Sequence, residues 1–156
     1  MTSADSREDA AEATVTASRA LLGIIARSMV PALEQVSLPQ FRVLVVLASA
    51  GPLRMGALAE RLGVNVSTFS RMADRLVLGG RVRREGNPDS RREVILALTD
   101  SGHELVRSVT DQRRTLIAEV LARMDPGDRD TLNDSLRAFD RAAGEPAVAD
   151  LLILGL

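Results

Sequence analysis

The segment that decides the fold reads GVNVSTFSRMADRLVLG, from residue 63 to residue 79. Its apolar residues recur at helical spacing, so at 3.6 residues per turn they form one stripe. The stripe consists of Phe69, Met72, Ala73 and Leu76. The opposite side carries Ser67, Thr68, Arg71, Asp74 and Arg75. A polar face of this kind is also what any surface helix presents, so its meaning depends on the neighbouring segments.

The segments on either side of this helix predict a winged helix-turn-helix. MGALAERLG (55–63) is a short helix that ends at a glycine, and a tight turn joins it to the next helix. RVRREGNPDSRREVILALT (81–99) changes period, because Val94, Leu96 and Leu98 alternate with Glu93, Ile95 and Ala97. GNPDS is turn chemistry between charged arms. This stretch is therefore a predicted β-hairpin with an arginine-rich tip.

Long helices are predicted on both sides of this unit. One spans about 9–34 and another 38–49; a third runs to about Met124, capped by Thr99 or Ser101. A last helix starts at Asp125 and Pro126, and an apolar tail follows at 147–156. The predicted fold is mainly α with a small β-hairpin, in one chain with a winged helix-turn-helix at 38–99 flanked by dimerisation helices at 9–36 and 100–156. Their apolar stripes exceed what a small core can cover, which favours a partner chain.

Charge is concentrated in the middle third of the chain. Residues 52–92 hold nine arginines and four acidic residues, a balance of +5. Because the net charge of the whole chain is −1, the remaining residues carry −6. A local cationic face can attract an anion whatever the net charge. On the 63–79 helix, two arginines one turn apart can bind guanine, while hydroxyl residues at its N-terminus suit bases or phosphate. Double-stranded DNA is the ligand that this combination favours.

Composition excludes several other functions. There is no cysteine and only one histidine, His103, so thiol chemistry and a transition-metal site lack their ligands. We expect no cofactor and no metal. Three Phe without Trp or Tyr give little material for base stacking. Neither a nucleophile–base pair nor a phosphate loop is present, so we expect no enzyme. No uninterrupted apolar run reaches about 18 residues and no signal peptide begins the chain, so we expect a cytoplasmic protein without a membrane span.

From Leu38 to Gly102 the sequence resembles the MarR family of bacterial transcription regulators. The matching stretches are LPQFRVLVVLAS, ALAERLGVNVSTFSRMADRL, the run Gly80, Val82, Arg84, and RREVILALTDSG. The resemblance implies a homodimeric repressor on a pseudopalindromic operator, relieved by a small ligand that is often an aromatic or lipophilic acid. It also implies DNA contacts from the recognition helix at 65–78 and from the wing. The DNA-binding residues by this resemblance are Ser67, Thr68, Arg71, Arg75, Arg84, Arg91 and Arg92.

Two departures from the family pattern and one rival interpretation stay open at this stage. Ser90 replaces a frequent Asp that braces the wing arginine, although Asp89 lies next to it. Arg81 stands where an apolar residue is common, and it either contacts phosphate or is simply exposed. Arg84 either braces the fold or contacts phosphate. The rival is a winged helix that binds proteins, or DNA without sequence preference, and has no effector response.

Overall fold

The computed structural model describes residues 3–87 and 90–144 and confirms the predicted fold class. Its elements, in chain order, are α1 Ser3–Leu33, α2 Leu38–Ala50, β1 Leu53–Arg54, α3 Met55–Arg61, α4 Val66–Leu78, β2 Val82–Asn87, β3 Ser90–Leu98, α5 Asp100–Leu121 and α6 Pro126–Ala143. The predicted apolar tail at 147–156 lies outside the described residues.

A third strand extends the predicted hairpin. The antiparallel sheet has the order β1-β3-β2, with Leu53 opposite Leu96 and Val82 opposite Leu98. β1 was not predicted, because two residues carry no periodicity of their own and their pairing partner lies more than 40 residues later. The strand links the end of α2 to the start of α3 and so fixes the helix-turn-helix against the wing.

The core lies where α2, α4 and the sheet meet. Its largest fully buried side chains are Phe41, Phe69, Leu44, Leu47, Leu58, Leu76, Leu96, Val43, Val46 and Val82. α2 supplies five buried residues, so this nearly all-apolar helix is covered on most sides. The predicted alternation in β3 is wrong at Val94, which is exposed, and at Ala97, which is buried in a strand that packs against α2 and α5.

The structure settles the ends of α5 and the start of α1. α5 begins after Thr99, whose hydroxyl accepts a hydrogen bond from the Gly102 N–H at 3.1 Å. Ser101 therefore lies inside the first turn and is not the cap. α5 ends at Leu121 rather than near Met124, and α1 begins at Ser3 rather than near residue 9. His103 is exposed on α5.

Two helices keep apolar side chains in water. α6 has no buried residue, and its Leu136 and Phe139 are 52% and 58% exposed. α1 packs on α5, yet five of its large apolar side chains remain exposed: Val15, Leu21, Leu22, Val30 and Leu33. Within the described residues, these faces have no cover from their own chain.

Length and hydropathy alone would allow α1 to cross a membrane. The segment Asp5–Leu33 reaches a mean hydropathy of 1.2 over an 18-residue window. Arg19 and Arg27 interrupt the apolar residues of this segment. A helix of this composition also occurs in soluble proteins, where a packed partner covers its apolar side.

Candidate nucleic-acid interface

α4 is held at both ends by local sequence. Asn65 is its N-cap, and the Asn65 side-chain oxygen accepts a hydrogen bond from the Thr68 N–H at 2.8 Å. Gly79 and Gly80 follow its last turn, and Gly80 adopts a φ of 68°, which favours glycine. Phe69 and Ala73 are fully buried. Burial of this stripe orients the helix, so its opposite face must lie in solvent.

The structure brings four predicted site residues together on that exposed face. They are Ser67, Thr68, Arg71 and Arg75. The Ser67 hydroxyl donates to the Asn65 side-chain oxygen at 2.8 Å, which holds it at the helix N-terminus. Within the described residues, neither arginine forms an ion pair. Both guanidinium groups can therefore accept an external anion without first breaking a salt bridge.

A groove of about 300 Å³ separates this face from the beginning of α2. Its lining combines α4 residues with Ser37, Pro39 and Gln40. Sequence reasoning did not select these three residues. The signal that would have found them is the capping sequence before α2, in which the Gln40 side chain accepts from the Ser37 N–H at 2.8 Å. The α2 N-terminus therefore opens on the same side as the two arginines.

Arg84 connects the wing to the recognition helix. Its guanidinium on β2 donates to the Asp74 carboxylate on α4, and the two side chains form an ion pair. Both are roughly half exposed, so this contact braces the hairpin without burying charge. Of the two roles left open by the sequence, the structure places Arg84 in the brace, and a phosphate contact by its outer face stays a prediction.

The other wing arginines lie close to where β3 begins. Arg91 and Arg92 belong to that strand, whose Ser90 pairs with Asn87 of β2. The suggested brace from Asp89 falls outside the described residues. DNA contacts of Arg91 and Arg92 therefore stay predictions, supported by strand position alone.

Arg81 is neither simply exposed nor aimed away from the protein. It is half-buried between α4 and β2, and its guanidinium donates to Gln35 and Ser101. These acceptors lie 46 and 20 residues away in sequence, so no local pattern could reveal them. The departure from an apolar residue at this position thus creates a polar junction.

Comparisons with known proteins agree with this geometry. The sequence model of the MarR family matches residues 36–94, which contain α2 to the first half of β3. An uncharacterized HTH-type transcriptional regulator of Mycobacterium bovis is 35% identical over 100 residues, covering 64% of this chain and 70% of that protein. The HTH-type transcriptional repressor MdtR of Bacillus subtilis is 33% identical over 106 residues, covering 67% and 68%.

A solved structure extends the similarity to almost the whole chain. RV1404 from Mycobacterium tuberculosis is 43% identical, with a TM-score of 0.74, and the match covers 93% of this chain and 97% of that one. The relatives from Mycobacterium bovis and Bacillus subtilis are both named as transcription regulators. Together with the exposed arginine face of α4 and the hairpin beside it, these matches show that this chain belongs to the MarR family of DNA-binding, winged helix-turn-helix transcription regulators.

Proposed function

We propose that the protein is a homodimeric repressor that binds a pseudopalindromic operator and is released by a small acidic ligand. The observation that carries the proposal is the exposed face of α4, where two arginines lie one turn apart, opposite a buried stripe and without an ion-pair partner among the described residues. Guanidinium groups in this arrangement suit the acceptor pair on the major-groove edge of guanine. Repression is supported by the 33% identical relative that is named a repressor.

The dimer is supported by apolar surface that no other described residue of the chain covers. The exposed side chains of α1 and α6 lie outside the helix-turn-helix, so a second copy can cover them without blocking α4. Closed two-fold dimers are the commonest soluble oligomers. Two-fold symmetry would place two α4 helices in successive major grooves, while the wings with Arg84, Arg91 and Arg92 reach the flanking minor grooves. Such a regulator would work in the cytoplasm, where the bacterial chromosome lies.

Two buried guanidinium nitrogens support an acidic effector. The Nε atoms of Arg42 on α2 and Arg113 on α5 are buried and have no hydrogen-bond partner in the described part of the chain. Burial also lowers the pKa of Arg113, because desolvation disfavours its charged form. A carboxylate would satisfy such donors. α2 and α5 pack on each other, so a ligand between them would touch the elements that position α4.

The experiment is footprinting of the purified protein on its own upstream DNA, with and without a panel of phenolic and lipophilic acids. We expect a protected site with two-fold symmetry and loss of protection with at least one acid. Competitor DNA of unrelated sequence supplies the control. If it displaces the upstream fragment as well as specific DNA does, an architectural module without sequence preference replaces this proposal.

A further inference from the structure

Arg81 joins three parts of the chain through its side chain. One terminal nitrogen, Nη1, donates to the Ser101 carbonyl at 3.0 Å and to the Ser101 hydroxyl at 2.5 Å. The other, Nη2, donates to the Gln35 side-chain oxygen at 2.5 Å. Ser101 belongs to the first turn of α5, and Gln35 lies between α1 and α2. A single guanidinium therefore ties the end of the recognition helix to both flanking regions.

The backbone of Arg81 is fixed to the same neighbours. Its N–H donates to the Leu76 carbonyl in the last turn of α4 at 2.9 Å, and its carbonyl accepts from the Thr99 N–H at 3.1 Å. Gly102 packs directly against that carbonyl, since a Cβ at residue 102 would lie 2.2 Å from the oxygen. The start of α5 thus holds the residue on one side while α4 holds it on the other.

Gln35 extends the connection to α1. Its side-chain nitrogen donates to the Pro31 carbonyl in the last turn of α1 at 3.1 Å, while its oxygen accepts from Arg81. Both ends of this amide are therefore used. A continuous chain of hydrogen bonds runs from α1 through Gln35 and Arg81 to α5, and we name it the Arg81 junction.

We propose that the Arg81 junction sets the angle of α4 against α1 and α5, and thereby the separation of the two recognition helices in the dimer. This inference rests on the proposed function, because the separation matters only if two copies read one operator. The acceptors are neutral, so directional hydrogen bonds carry the junction rather than charge pairing. The planar fork of arginine reaches two acceptors in different directions, whereas lysine concentrates its donors on one nitrogen.

A direct phosphate contact by Arg81 is the competing explanation, and it makes different predictions. Loss of a phosphate contact lowers the dependence of binding on salt by about one charge and weakens all DNA sequences alike. It would also leave Gln35 without influence on DNA binding. Loss of a positioning contact leaves the salt dependence unchanged but alters which half-site separation is preferred.

The test measures affinity by fluorescence anisotropy on a duplex that the wild-type protein has selected from a random library. Further duplexes change the separation of its half-sites by one or two base pairs. We expect Arg81→Leu and Gln35→Leu each to weaken binding at the preferred separation about fivefold. Both variants should also flatten the spacing preference at an unchanged salt slope. The double variant should bind no worse than either single variant, because both break one junction.

Three variants control this test. Arg83→Leu removes the same charge two residues away and leaves the junction intact, so the spacing preference should be kept. Gln35→Glu keeps the acceptor for Arg81 but loses the donor to the Pro31 carbonyl, so its spacing preference should lie between those of the wild type and Gln35→Leu. Arg81→Lys retains the charge without the fork and should resemble Arg81→Leu in its spacing preference. Thermal unfolding of each variant separates a change of binding from loss of the fold.

The outcomes distinguish the two proposals. If Arg81→Leu keeps the spacing preference of the wild type, the junction proposal fails and the proposed function stands. A salt slope lowered by about one charge in Arg81→Leu has the same consequence. A wild-type protein without any spacing preference overturns the junction together with the dimeric reading of an operator.

Discussion

Arg71 and Arg75 are the side chains whose chemistry bears most directly on sequence recognition. They lie one turn apart on the exposed face of α4. Because Phe69 and Leu76 on the opposite side of the helix are buried, the helix cannot rotate to withdraw the two arginines from a bound duplex. In the proposed function, their specificity would depend on the packing behind the helix as much as on the guanidinium groups in front.

We expect Arg71→Ala or Arg75→Ala to relax base preference at defined operator positions. A bidentate contact to guanine contributes about 1–3 kcal/mol of discrimination. Affinities for operators substituted one base pair at a time would measure the loss. Arg61→Ala, an arginine on the preceding helix α3, is the matched control and should keep the base preference. Uniform weakening for every sequence would instead assign Arg71 and Arg75 to phosphate.

Gly102 is the residue at which an added methyl group should lower the stability of the fold most. An added Cβ would lie 2.2 Å from the Arg81 carbonyl oxygen and 3.0 Å from a Leu98 methyl group. Backbone must then move, so Gly102→Ala should lower the free energy of unfolding by about 1–3 kcal/mol. Urea denaturation measures this change. Gly127→Ala on α6, where no atom lies within 4 Å, is the control and should not destabilise the protein.

At the scale of elements, α4 depends on a cap that is also close to the DNA-facing residues. Asn65→Ala removes the acceptor of the Thr68 N–H, and such losses cost about 0.5–2 kcal/mol. Asn65→Asp keeps an acceptor oxygen and should retain the stability. Urea denaturation of the two variants provides the comparison. Equal stability of Asn65→Ala and the wild type would show that the cap hydrogen bond contributes nothing.

Elements with a strong local pattern were predicted, and long-range contacts were not. The apolar stripe of α4, the apolar run of α2 and the alternation in the hairpin each depend on residues close together in sequence. The periodicity of these segments was therefore enough to predict their structure. β1 and the Arg81 junction depend on partners 20 to 46 residues away, which periodicity cannot reveal. The ion pair of Arg84 was left open for a different reason. Its partner Asp74 is only 10 residues away but belongs to another element, and the two become neighbours only through the packing of β2 on α4.

At the scale of the whole molecule, α6 gives the sharpest test of the dimer. Phe139→Asp places a charge in its exposed apolar stripe, so we expect dissociation of the dimer and loss of operator binding. Sedimentation equilibrium measures the mass of the assembly, and fluorescence anisotropy measures its binding to the operator. Ala138→Asp adds the same charge about 100° around the helix from Phe139, outside the apolar stripe, and this variant should remain dimeric. A dimeric Phe139→Asp protein would place the interface elsewhere.

The uncovered face of α6 has a consequence for how the protein is maintained. α6 has no buried residue in the described part of the chain, so in the proposed dimer its packing energy would come from the second copy, and assembly and folding would be one equilibrium governed by mass action. The melting temperature would then rise with the amount of protein present. In a cell that lowers the concentration of this regulator, fewer subunits would be assembled, and unassembled subunits would be less stable. The amount of folded protein would therefore fall more steeply than the total concentration.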